Sequence, residues 1–290
     1  MRKIFLTFGD GAENFIQARE RICREARATK QFDEILSFGW DDIKDKDVLA
    51  SPLRDSPRGC GYWIWKPAII HEVMAKMSEG DVLVYCDCGD VLSTSPRQWR
   101  KFFAHLDNVD IICKRISACC VHRCRKELLE KFAIKDRDRG CRLCFQYEMG
   151  ATFIKKTSFT HELITDWLRF MVDNPMAIED PNSEGELSCQ LPTFIENRHD
   201  QSAFSILLYQ RLADTELRRK IKTVWEYHEG WWLFGEPCIS TERNRTGVAV
   251  VKPLRLRLLR VAQRIVWRIQ LFFERRGLCL FWEKGGWYGA

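Results

Sequence analysis

Gly80-Asp81-Val82-Leu83-Val84-Tyr85-Cys86-Asp87-Cys88-Gly89-Asp90 is a short apolar run that ends in two acids. Val82–Tyr85 shows no polar alternation, so it belongs in the interior of a sheet with both faces covered. The carboxyl end of such a strand is where an open α/β sheet places its ligands. Asp87 and Asp90 at that position can hold a divalent cation, and a cation can hold a diphosphate. The structural alternative is that Asp87 ends the strand and Asp90 caps a turn. Cys86 and Cys88 alternate away from Asp87 and are expected on the opposite sheet face.

Just upstream lies Gly59-Cys60-Gly61-Tyr62-Trp63-Ile64-Trp65-Lys66-Pro67. The two glycines permit unusual backbone angles. Lys66 falls where a helix begins, with Pro67 in its first turn, and free N–H groups there favour anions. Tyr62, Trp63, Trp65 and Lys66 are thus candidates to contact a nucleotide and its phosphates. Alternate aromatics must face different ways, so part of this set is expected in the core. Downstream, Glu196-Asn197-Arg198-His199-Asp200-Gln201-Ser202 opens a further helix. Asp200 or Ser202 would suffice as a cap. The run also supplies a carboxylate, an imidazole and an amide, which suit a sugar hydroxyl or a general base.

Strands at Lys3–Phe8, Phe32–Phe38, Val82–Tyr85, Val109–Cys113 and Tyr147–Ile154 alternate with helices at 12–29, 66–77, 96–106, 125–132, 159–173 and 200–212. This is the α/β pattern. Trp40–Pro57 and Asn174–Leu191 read as loops, the second long enough to act as a lid. Lys135–Arg142 reads as a charged loop. No Walker loop, strand-borne G-x-G-x-x-G, G-x-S-x-G or H-E-x-x-H occurs, which disfavours the common ATPase, dehydrogenase, hydrolase and metalloprotease routes.

The 290 residues are 46% hydrophobic and 30% charged, an ordinary globular composition. Net charge is +6, but residues 252–290 hold nine Lys/Arg and two Glu, a net of +7, leaving −1 for residues 1–251. A nearly neutral body argues against nucleic acid as a partner. In the tail, Leu254, Leu258, Val261, Ile265, Ile269 and Phe272 recur every three or four residues, interleaved with Arg255, Arg257, Arg260, Arg264 and Arg268, beside Trp267 and Phe273. That is a basic amphipathic helix, suited to a membrane surface or to a second subunit. Met1–Phe8 is too short for a signal peptide, and no run of about 18 apolar residues is present. The thirteen cysteines then read as reduced cytoplasmic thiols. Cys119, Cys120, His122, Cys124, Cys141 and Cys144 could alternatively form a zinc site.

Taken together and in this order, "RGCGYWIWKP", "GDVLVYCDCGD" and "ENRHDQSAFSILL" resemble bacterial and viral GT-A-type glycosyltransferases over residues 3–245. The resemblance implies a Rossmann-like mixed α/β sheet flanked by helices (residues 1–245) that binds a nucleotide-diphosphate sugar, followed by the basic helical tail (246–290). It implies Mn²⁺ or Mg²⁺ held by Asp87, with Asp90 a weaker match because two residues, not one, separate the acids. His228, in Tyr227-His228-Glu229, is a looser match to a late metal or phosphate ligand. Lys66 matches the basic residue of the aromatic loop. His199, Asp200 and Gln201 match a polar run near the acceptor, Gln201 on the donor side and His199 and Asp200 as catalytic candidates. The implied reaction is sugar transfer to a hydroxyl of a polysaccharide, lipopolysaccharide or lipid-linked glycan, on the inner face of a membrane reached through the tail. Two other readings stay open: a sugar- or nucleotide-binding protein with a degenerate site, and a nucleotidyltransferase, which is disfavoured because Gly9-Asp10-Gly11 is too short for the Gly-rich triphosphate loop it would need.

Overall fold

A computed structural model of the chain describes residues 1–134, 144–229, 235–241, 244, 254–274, 280–283 and 286–289. β1 (Lys3–Phe8) is followed by α1 (Glu13–Thr29) and β2 (Glu34–Phe38). Three short helices, α2 (Lys46–Ala50), α3 (Gly59–Tyr62) and α4 (Trp65–Ala75), lead to β3 (Val82–Cys86). Then come β4 (Val91–Leu92), α5 (Pro96–His105), β5 (Ile111–Cys119), α6 (Cys120–Arg123), α7 (Lys126–Lys131) and β6 (Phe145–Lys155). The helices α8 (Ser158–Asp173), α9 (Pro175–Ile178), α10 (Glu184–Ser188), α11 (His199–Ala213) and α12 (Thr215–Arg219) precede β7 (Ile221–Val224). β8 (Ile239–Ser240), α13 (Leu254–Glu274) and the hairpin of β9 (Leu280–Glu283) with β10 (Gly286–Gly289) complete the order.

Six strands form one sheet in the order β2-β1-β3-β6-β5-β7. β1 pairs parallel with β2 and β3, and β5 pairs parallel with β7; β6 runs antiparallel between β3 and β5. The carboxyl ends of β1, β2, β3, β5 and β7 therefore share one edge. The expected mixed α/β sheet flanked by helices is the observed architecture.

Strand alternation splits the core in two. Leu6, Leu83 and Tyr85 face α4, α8 and α11, packing with Ile69, Trp167 and Phe204. Phe5, Val84 and Phe153 face α1 and α5, packing with Ile22, Trp99 and Phe102. Each Leu, Ile or Phe so buried contributes about 1.5–3 kcal/mol relative to exposure. Cys86 and Cys88 lie in the second layer, opposite Tyr85.

Three expectations need correction. Trp40–Pro57 is not a plain loop: Asp45 caps α2 by accepting from the amides of Asp47 and Val48. Asn174–Leu191 carries α9 and α10, with Ser183 capping the latter. The strand expected at Val109–Cys113 starts at Ile111 and runs to Cys119, because register shifts after Cys113 and Arg115 let it continue alongside β6. The charged loop at Lys135–Arg142 lies outside the described residues. Among the described residues, no helix is long and apolar enough to cross a membrane.

Candidate functional site

Lys66 enters on the first turn of α4, beneath the edge where β3 ends. It is 3% exposed. Its Nζ lies 3.2 Å from Asp87 Oδ1 and 3.2 Å from Asp200 Oδ2. Residues 87 and 200 come from the end of β3 and the first turn of α11, so the fold brings together three positions far apart in sequence. Burial alone would lower the ammonium's pKa, but the two carboxylates offset this and hold it above its ordinary value. Asp200 is likewise buried, and burial pushes its carboxyl up to about 6, against the opposing pull of Lys66. Asp87 is the open member, with its side chain 38% exposed. Tyr85, two residues earlier on the same sheet face, donates its hydroxyl to Asp87 Oδ1 at 2.6 Å.

Asp90 turns back under this group, its amide donating to Asp87 O at 2.9 Å. Its side chain is buried, and Oδ2 has no hydrogen-bond partner. Burial, then the charges of Asp87 and Glu148, raise its carboxyl well above the usual range. A side chain on Gly150 would have its Cβ 3.4 Å from Asp87 Oδ2 and 3.7 Å from Glu148 Oε1, so both acids look onto the space above that glycine. An orphaned buried carboxylate oxygen beside two further carboxylates is the donor chemistry of a hard divalent cation. Among the described residues no three His, Cys, Asp or Glu side chains converge as a ligand set. A cation at this edge would rest on Asp87 and Asp90 alone, fewer ligands than a self-sufficient site supplies. His228 stands apart from these acids. The groups acting on its imidazole are Arg264, Glu226, Lys101 and Arg268, and burial lowers it to about 4. A Cβ on Gly235 would collide with its ring.

The unusual backbone angles expected at the two glycines of the aromatic loop extend to their non-glycine neighbours. Gly59, Cys60, Gly61, Tyr62 and Trp63 all take positive φ, between 50° and 90°. Left-handed backbone costs a residue with a Cβ about 1–2 kcal/mol. Such outliers persist where the surroundings over-determine them, commonly at functional sites. The turn is closed by Tyr62 N donating to Arg58 O at 2.7 Å and by Trp65 Nε1 donating to Gly59 O at 2.9 Å. Trp65 is buried and stacks on Phe8 at 3.9 Å, and Tyr62 is also buried. Trp63 is half-buried, so the expected mixture of core and surface aromatics is what the fold contains.

His199 does not join Asp200. Its ring lies 4.8 Å from that of Tyr62 and 5.5 Å from that of Trp63, and its Nδ1 sits 2.7 Å from Ile178 O. It clamps the left-handed turn to α9 and is itself at positive φ. Gln201 donates to Gln146 Oε1 at 2.8 Å. Gln146 in turn donates to the sulfurs of Cys120 and Cys124 at 3.4 and 3.2 Å. Burial pushes both thiols well up. Cys141 lies outside the described residues.

Sequence reading missed Arg21. On α1, buried to 3% exposure, it donates to Cys88 O and Asp90 O at 2.8 Å and to Asn244 O at 3.1 Å, while pairing with Glu25. It fixes the backbone of the acidic turn from below. Lys114 and Glu148, which form an ion pair on β5 and β6, were missed as well. No signal separated any of these from ordinary surface charges.

No family model matches the chain, and no curated protein does. Among solved structures, mouse xyloside xylosyltransferase 1 in its apo form is 13% identical with a TM-score of 0.41, over 77% of this chain and 85% of that one. A glycosyltransferase involved in glycosylation of the major capsid of PBCV-1 is 10% identical, TM-score 0.38, over 77% and 82%. The galactosyltransferase LgtC, in complex with donor and acceptor sugar analogs, is 11% identical, TM-score 0.38, over 91% and 96%. At identities and scores this low, the likenesses decide nothing about activity.

Proposed function

We propose that the chain transfers a sugar from a nucleotide-diphosphate donor to a hydroxyl of a glycan acceptor. The observation that carries this reading is Lys66, buried at 3.2 Å from both Asp87 and Asp200 at the ligand-binding edge of the sheet. In the net reaction the bond from the anomeric carbon to the diphosphate breaks, a bond to the acceptor oxygen forms, and the acceptor's proton is released. Lys66 supplies fixed positive charge next to the departing diphosphate. A Mn²⁺ or Mg²⁺ ion held by Asp87 and Asp90 would add Lewis-acid neutralisation of the same group. Asp200, with its carboxyl at about 6, is ionised in most molecules at neutral pH and near the optimum for accepting a proton. Trp63, half-buried beside the site, offers a face to a base or sugar ring.

The test is a melting-temperature screen against nucleotide sugars with and without Mn²⁺. A metal-dependent rise in wild type that vanishes in Asp87→Asn supports the reading. An unchanged Tm across the panel rejects it.

The tail supports peripheral attachment to an anionic membrane surface. Leu258, Ile265, Ile269 and Phe272 on α13 are exposed, while Arg264 on another side of the helix is buried. Basic residues near such a surface are worth about 1 kcal/mol each. Full-length protein is expected to pellet with vesicles rich in phosphatidylserine and not with pure phosphatidylcholine. Equal pelleting with both would reject attachment by charge.

A further inference from the structure

A second concavity lies beside the acidic cluster, on the β5 side. It encloses about 300 Å³, at the small end of ligand-binding cavities. Lys114, Trp225, Glu226, Thr241, Gln263 and Arg264 line it. Four segments thus meet there: β5, the stretch just after β7, the end of β8, and one edge of α13.

The lining is held in place by its own contacts. Arg264 donates from Nε to Glu226 Oε2 at 2.7 Å and from its terminal nitrogen to Gly235 O at 2.8 Å. Lys114 Nζ donates to Thr241 Oγ1 at 2.5 Å. Thr241 in turn donates to Glu148 Oε2 at 3.3 Å. Lys114 pairs with Glu148 and Arg264 with Glu226, so neither an anion nor a cation is favoured as occupant. The Gln263 amide and the Thr241 oxygen add neutral polar groups, and half-buried Trp225 adds an apolar wall. That combination fits an uncharged, polyhydroxylated ring.

Glu148 ties the cavity to the candidate donor site. One of its oxygens meets Thr241 and Lys114 at the cavity, and the other faces the space above Gly150 that it shares with Asp87. We infer that this cavity is the acceptor subsite and takes a neutral saccharide, with the tail helix as one wall. The acceptor role rests on the transfer reading above; the binding of saccharide does not. The tail then does more than attach the protein to a surface: its inner edge completes the cavity.

The experiment is saturation-transfer NMR on the full chain with methyl β-galactoside, methyl α-glucoside, maltose and lactose, in EDTA and without nucleotide. Wild type is expected to transfer saturation to at least one of these. Thr241→Val removes the hydroxyl that links Lys114 to Glu148 in the cavity wall and should weaken the signal about fivefold. Gln263→Trp, an exposed helix position, should fill the space and abolish it. Asp87→Asn should leave it unchanged. Absence of any signal in wild type, indifference to both cavity variants, or loss in Asp87→Asn alone would each overturn the inference. Melting curves of each variant establish folding, and Thr241→Val decides if Gln263→Trp is unfolded. A metal-dependent nucleotide-sugar shift without saccharide binding would reject the cavity and keep the transfer reading. Saccharide binding without that shift would do the reverse.

Discussion

Lys66 and Arg264 are both buried cations, yet the apolar residues around them are arranged in opposite senses. Around Lys66 the apolar neighbours, Trp65, Ile69 and Tyr85, are themselves buried, and two carboxylates share one ammonium. Around Arg264 the helix has turned its guanidinium inward onto Glu226 and the Gly235 carbonyl and left Leu258, Ile265 and Ile269 exposed. In the body, the core encloses the charge and the charge organises a site. In the tail, the charge is the attachment point and the apolar surface remains available to something else. A buried cation by itself therefore says little; which side the apolar residues take says what the region is for.

The comparison breaks most visibly at Lys66. Lys66→Met should leave Asp200 buried without its counter-ion and cost about 3–5 kcal/mol, read as a large drop in denaturant midpoint. A loss below about 1 kcal/mol would mean that the carboxylates regain solvent easily and that the cluster is not a closed ionic unit.

A pH titration of stability sharpens the same point. Burial raises Asp200 in the folded chain to about 6 from the 3.8 of an unperturbed carboxyl. Between those values the folded state binds the proton more tightly than the unfolded chain. Its contribution is therefore present at low pH and is lost as pH rises through that window. Asp200→Asn should remove this part of the slope of unfolding free energy against pH from 4 to 6. An unchanged slope would place Asp200 in a wetter environment than the fold indicates.

The smallest effect is expected at the tail. Arg264→Met removes the guanidinium from Glu226 and from Gly235 O and should cost about 1–2 kcal/mol. It should nonetheless raise proteolytic cleavage within α13 relative to cleavage of the body. Equal susceptibility of both regions would show that other contacts hold the helix.

What was legible in the sequence follows from which forces act locally. Val82–Tyr85 read as an interior strand, which put Asp87 at its carboxyl end, where β3 has it. The helix opening at residues 199–200 announced itself by its polar run. The α13 stripe was visible from its spacing, but spacing gives two faces without saying which one the protein takes. Arg21 is one charge among Arg19, Arg24 and Arg27, and only its three carbonyl partners on other segments distinguish it. The separation of His199 from Asp200 was equally hidden. Adjacent residues at a helix start were read as one polar unit, whereas a positive φ at His199 sends its ring toward the turn at residues 62 and 63.

That turn raises a question of chirality. For Cys60, Tyr62 and Trp63 the backbone region they occupy is the mirror image of the one L-residues prefer. A D-residue at any of the three would sit in its own relaxed conformation, with its side chain leaving the chain in another direction. Tyr62 and Trp63 can both reach His199 only because their handedness and that of the backbone disagree. The clamp on α9 is in this sense a mismatch made permanent by its surroundings, and an enantiomeric substitution by semisynthesis would relax the backbone while opening the clamp.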